Sequence, residues 1–156
     1  MDTAALLRRA VAVADRARAA GNHPFGALLV DAEGEVLLEA ENTVGTTRDV
    51  TGHAETNLVS QATRRFDAAA LAGTTLVTSC EPCAMCAGAI YWSGIGALVY
   101  GLSESGLLAL TGDDPENPTM SLPCRTVLAS GQRAIAVTGP LLEAEAAASH
   151  AGFWRS

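Results

Sequence analysis

Two short stretches carry the chemistry of this 156-residue chain. One is His53-Ala54-Glu55, and the other is Ser79-Cys80-Glu81-Pro82-Cys83-Ala84-Met85-Cys86. Cysteines three apart in the first turn of a helix aim their sulfurs to one side, so Cys83 and Cys86 make a ready pair of donors. The partial positive charge at a helix N-terminus favours the thiolates that a metal needs. His53 adds an imidazole, and three protein ligands leave the fourth tetrahedral corner of a zinc ion to water. Glu55, beside a ligand, is placed to take a proton from that water and pass it on.

Two other arrangements use the same residues. Cys80 could join His53, Cys83 and Cys86 in a closed Cys3His site, which would make the chain a structural-zinc binding module without catalysis. A thioredoxin-like Cys-x-x-Cys is the other reading, but it leaves His53 and Glu55 unexplained. Pro82 is expected to open a helix, since proline is tolerated at the first helical position. Cys80 then falls on the strand end before it. The open site is therefore the preferred reading, with Cys80 and Cys124 as buried, unligated thiols.

The combination of His-x-Glu with Pro-Cys-x-x-Cys resembles the cytidine deaminase-like superfamily, in its nucleobase and tRNA-adenosine deaminase branch. Supporting stretches are Asn22-His23-Pro24-Phe25-Gly26-Ala27-Leu28-Leu29-Val30, Asn42, and Gly88-Ala89-Ile90-Tyr91-Trp92-Ser93-Gly94. The resemblance implies Zn2+ held by His53, Cys83 and Cys86, with Glu55 as catalytic proton carrier. It implies attack of activated water on a ring carbon bearing an exocyclic amine, with loss of ammonia. It also implies a homodimer, and the lack of an expected targeting signal makes the expected location cytoplasmic.

The resemblance supplies substrate-binding candidates as well. These are Asn42 for a base edge, Phe25 and Trp92 for packing on a flat ring, Ala54, and Asp114. A carboxylate accepts two N–H donors side by side. The acidic pair Asp113-Asp114 lies at the spacing where a guanine deaminase of this superfamily grips its substrate, so a guanine-like base is the first expectation. Gly112-Asp113-Asp114-Pro115 is also an ordinary turn sequence. Cytosine or cytidine, and adenosine in tRNA, are the alternatives. The C-terminal Phe153 and Trp154 are candidates to close the pocket of their own or a neighbouring subunit. His23 and His150 are assigned to no metal.

These residues need a scaffold. Leu6, Ala10, Val13, Ala14 and Ala17 recur at helical spacing. Gly26 to Val30 and Val36 to Glu39 form a hairpin around a turn at 31–34, and 42–52 is a polar loop. A second helix carries Ala54, Leu58, Val59, Ala62 and Phe66. Then follow a strand at 75–78, the helix from Pro82 to about Ser93, and a strand at 97–100. A helical stretch at 103–110, a loop at 112–118, a strand at 134–138 and a helix at 141–150 complete the order. Helices crossing between strands imply an α/β protein. The resemblance makes it a three-layer α/β/α sandwich with a central mixed sheet of about five strands, in a single domain spanning 1–156.

Composition narrows the partners. Hydrophobic residues are 49% and charged residues 17% of the chain, which excludes a disordered polymer. There is no apolar run of membrane-spanning length, and no secretory or transit signal is expected at the start. Ten arginines and no lysine face 17 acids, for a net charge of −7. Such a balance disfavours a phosphate backbone, so the expected partner is a small molecule rather than nucleic acid or membrane. The arginines of the first helix read as a solvated face.

Overall fold

The computed structural model describes residues 1–154. Five strands form one sheet in the order β2-β1-β3-β4-β5. Strand β1 (Gly26–Val30) lies antiparallel to β2 (Val36–Glu41) and to β3 (Thr75–Cys80). Strands β4 (Ala97–Leu102) and β5 (Ala136–Thr138) continue parallel to β3. The mixed sheet and α/β class are those the sequence implies.

Side-chain alternation in the strands builds two cores. Ala27, Leu29, Leu76 and Leu98 face one side, with Leu58 and Ala62 of α3 (Ala54–Arg65), Ile90 of α5 (Ala84–Ser93) and Leu128 of α7 (Cys124–Ala129). Leu28, Val30, Val77 and Val99 face the other, against Leu7, Ala10 and Val13 of α1 (Thr3–Ala19). The central strands are buried on both faces, which is why they read as continuous apolar runs. Helix α1 packs close because Gly26 has no side chain; a Cβ there would lie 2.5 Å from the backbone nitrogen of Ala14.

Three short helices were not visible in the pattern: α2 (Val44–Thr47) inside the polar loop, α4 (Ala68–Leu71), and α7. They span four to six residues, too few for a 3.6-residue periodicity to register. The remaining helices are α6 (Glu104–Thr111) and α8 (Glu143–Ala148). Strands β3 and β4 each run two residues beyond the expected ends.

Pro82 does not open α5. The helix begins at Ala84 with Cys83 as its N-cap, and Pro82 lies in the irregular connection after β3. Gly94, at φ +91°, closes the same helix in the left-handed conformation that glycine takes most readily.

Three arginines of α1 are engaged with acids, and the fourth, Arg18, donates to the carbonyls of Ser149 and Ala151. Arg8 pairs with Glu145 at 2.9 Å, while Arg9 and Arg16 both reach Glu39 at 2.7 and 3.0 Å. Among the described residues no helix is long and apolar enough to cross a membrane.

Candidate active site

Two helix N-termini meet beyond the end of β3. His53 is the N-cap of α3, and Cys83 is the N-cap of α5 with Cys86 one turn inside. His53 Nδ1 faces both sulfurs, 3.6 Å from Cys83 Sγ and 3.4 Å from Cys86 Sγ. All three ligand atoms lie within 4.8 Å of one another. A tetrahedral zinc with ordinary Zn–S and Zn–N bonds needs N···S separations of about 3.6 Å. The donor set therefore fits zinc, with an imidazole and two soft sulfurs at tetrahedral spacing.

Cys80 is not part of this group. It is buried at the end of β3, and burial pushes its thiol well above the ordinary range. Cys124, at the start of α7, is likewise buried and pushed up to about 12 by desolvation. Neither belongs to the donor cluster, which among the described residues is His53, Cys83 and Cys86. Within the cluster Cys83 is drawn down to about 4, first by its hydrogen bond with Cys86 and then by His53, while that same bond and burial push Cys86 up.

Glu55 is the second residue of α3, in its first turn. It is 5% exposed, and burial raises its carboxyl to about 7. Its Oε1 lies 3.2 Å from the hydroxyl of Thr78 on β3. A carboxyl poised near neutrality can accept and return a proton with little driving force lost. Glu104, at the start of α6, is also raised to about 7 by burial and then by the charge of Cys83.

The site opens into a cavity of about 750 Å³, within the usual size range of small-molecule pockets. His53, Glu55 and Cys83 lie on its wall, as do Phe25 and Asn42. Asn42 is buried, and its Oδ1 accepts from the backbone of Val44 at 3.0 Å. That bond leaves the side-chain NH2 as a donor. Among the described residues no arginine lines the cavity.

Three substrate-binding candidates lie elsewhere. Ala54 is fully buried beneath the site and is not on the wall. Trp92 is 85% exposed on α5, away from the cavity. Asp114 is buried behind the wall, where its Oδ1 accepts from the backbone of Glu116 at 2.9 Å. The acid of this loop that lines the cavity is Glu116, and its Oε2 reaches His23 Nε2 at 3.2 Å. Two-residue spacing in an acidic turn was the only signal for Glu116, and it did not separate that residue from Asp113 or Asp114.

The C-terminal segment folds onto its own chain. Phe153 lines the cavity, and Trp154 stacks on His150, donating to His150 Nδ1 at 2.9 Å. His150 packs edge-on against Phe25 from behind, while His23 lies on the cavity wall.

Known proteins are similar to this chain in sequence and fold. A probable cytosine deaminase of Schizosaccharomyces pombe is 45% identical over 96% of this chain and 91% of its own length. The guanine deaminase of Bacillus subtilis is 38% identical, covering 73% of each chain. The solved guanine deaminase from Nitrosomonas europaea superposes with a TM-score of 0.78 at 28% identity, over 96% of this chain and 82% of that one. The cytidine and deoxycytidylate deaminase zinc-binding region matches residues 1–102. That stretch includes both ligand-bearing helices, and the chain belongs to the cytidine and deoxycytidylate deaminase family.

Proposed function

We propose that the chain hydrolyses the exocyclic amine of a free nucleobase or nucleoside, a guanine-like base first, and releases ammonia. The observation that carries this reading is the buried Glu55 beside His53, Cys83 and Cys86 on the wall of a cavity without arginine. A wall bearing Glu55, Glu81, Glu104 and Glu116 attracts N–H donors and repels phosphate, which favours a base or nucleoside over a nucleotide or a tRNA.

His53, Cys83 and Cys86 would hold zinc, which supplies a Lewis acid that makes water ionise near neutral pH. Glu55 takes a proton from the attacking water and delivers it to the ring nitrogen. It then takes the proton of the new C–OH group and delivers it to the amine, so that the C–N bond breaks, ammonia leaves and a carbonyl remains. The Asn42 NH2 donates to an acceptor on the base, and Phe25 packs against the ring. Glu116 takes the role of accepting ring N–H groups, since it lies on the cavity wall and Asp114 does not.

Cytosine is the second reading, favoured by the 45% identity to the Schizosaccharomyces pombe relative across nearly the whole chain. Ammonia release from guanine, guanosine, adenine, cytosine, cytidine and a tRNA anticodon hairpin separates these. Turnover of guanine above the others supports the first reading, cytosine above guanine the second, and activity on the hairpin alone contradicts both.

The reading includes a homodimer in the cytoplasm. Trp92 is 85% exposed next to half-buried Tyr91, and a large aromatic left in water favours a protein interface. The four cysteines are unpaired thiols, which suits a reducing compartment. Sedimentation of wild type and Trp92→Glu tests the dimer, which the charge should dissociate.

A further inference from the structure

Glu81 belongs to the metal-binding segment and supplies no ligand. It is 8% exposed, and each oxygen of its carboxylate accepts from a different helix. Oε1 accepts the backbone N–H of Glu104, the first residue of α6, at 2.9 Å. Oε2 accepts the backbone N–H of Cys124, the first residue of α7, at 2.8 Å. Its own N–H donates to the Leu102 carbonyl at the end of β4, at 2.7 Å. The first N–H groups of a helix have no acceptor within the helix, and they point positive charge outward, so one carboxylate satisfies two helix starts at once.

The segment between those helices, residues 112–123, supplies Pro115, Glu116 and Met120 to the cavity wall. Local turns hold its middle: Asn117 N–H donates to the Asp114 carbonyl at 3.0 Å, and Leu122 N–H to that of Met120 at 2.7 Å. Its far end is fixed where α7 begins, and there Glu81 takes hold. The geometry points to Glu81 as a positioning residue that locks the wall gripping the base to the turn carrying Cys83, and so sets the distance between them. This inference rests on the deaminase reading and deepens it.

Glu81→Gln keeps the size of the side chain but turns an N–H2 toward one of the two donors. Cys124→Pro removes the N–H that Oε2 accepts, together with the buried thiol that also faces Glu81. Proline is tolerated at the first helical position, and Pro123 already has the extended backbone that must precede one, at ψ 141°. Cys124→Ala loses the same thiol but keeps the N–H, so its comparison with Cys124→Pro isolates the N–H. With the better of guanine and cytosine as substrate, Glu81→Gln and Cys124→Pro should raise KM about tenfold, as expected for losing a hydrogen bond of this kind. The kcat should stay within about threefold, zinc should stay at wild-type stoichiometry, and amide exchange should accelerate across 112–123. Cys124→Ala should match wild type. An unchanged KM in both variants overturns the inference, as does loss of zinc or a fall in kcat at constant KM. If wild type releases no ammonia from any base, the deaminase reading fails instead. Exchange across 112–123 then decides for Glu81 alone, with unchanged rates overturning its role.

Discussion

The hydroxyl of Thr78 lies 3.2 Å from Oε1 of Glu55. Thr78 is fully buried on β3, in register between Ala27 of β1 and Tyr100 of β4. The position of the proton carrier is thus tied to the middle of the sheet as well as to its own helix. This donor favours the charged carboxylate, opposing the burial that raises it. Thr78→Val removes the donor at nearly constant volume. The ascending limb of the kcat/KM profile should move to higher pH, and the rate at neutral pH should fall. A profile superposing on that of wild type would show that Thr78 does not tune Glu55.

Glu55→Gln separates proton transfer from metal binding. His53, Cys83 and Cys86 are untouched, so zinc content should equal that of wild type. Ammonia release should drop by about 10³-fold, within the range of general acid–base catalysis. Zinc loss in this variant would instead place Glu55 among the groups that hold the metal.

The two acids of the 112–123 segment should behave differently. The Asp114 carboxylate closes a turn, so Asp114→Ala should cost about 1 kcal/mol of stability and lower the melting temperature. Glu116 faces the cavity, so Glu116→Gln should raise KM for guanine with little change in stability. The opposite pattern in guanine kinetics would return the recognition role to Asp114.

Burial lowers the His150 imidazole to about 4 from its ordinary 6.5. The folded state therefore binds this proton less readily than the unfolded chain. The stability it contributes is fully present above pH 6.5 and is lost as pH falls toward 4. The difference amounts to about 3 kcal/mol. His150→Asn retains an acceptor for the Trp154 indole and should not show this loss. Urea unfolding of both proteins at pH 7 and at pH 4 measures it, and equal losses would contradict the assignment.

Much of the site was legible because it is local. His53 and Glu55 share one helix start, Cys83 and Cys86 another, and motif spacing reports such neighbours directly. The strands were legible because apolar runs bounded by turns mark them. What was hidden depends on contacts far apart in sequence. Glu81 meets Glu104 and Cys124 across 23 and 43 positions. His23 meets Glu116 across 93. Trp92 was drawn into the pocket by resemblance, yet its side of α5 faces solvent in this chain. Asp114 had the right spacing, but spacing cannot say which way a turn aims its carboxylates. The start of α5 was misplaced by two residues because a proline fits a helix start and a turn equally well.

Zinc K-edge X-ray absorption on the purified chain tests the central claim most directly. An open site built from His53, Cys83 and Cys86 should give two sulfur neighbours at about 2.3 Å and two lighter atoms at about 2.0–2.1 Å. One of the lighter atoms is the imidazole nitrogen and the other a solvent oxygen. A third sulfur would mean that Cys80 closes the site, and would contradict hydrolysis there.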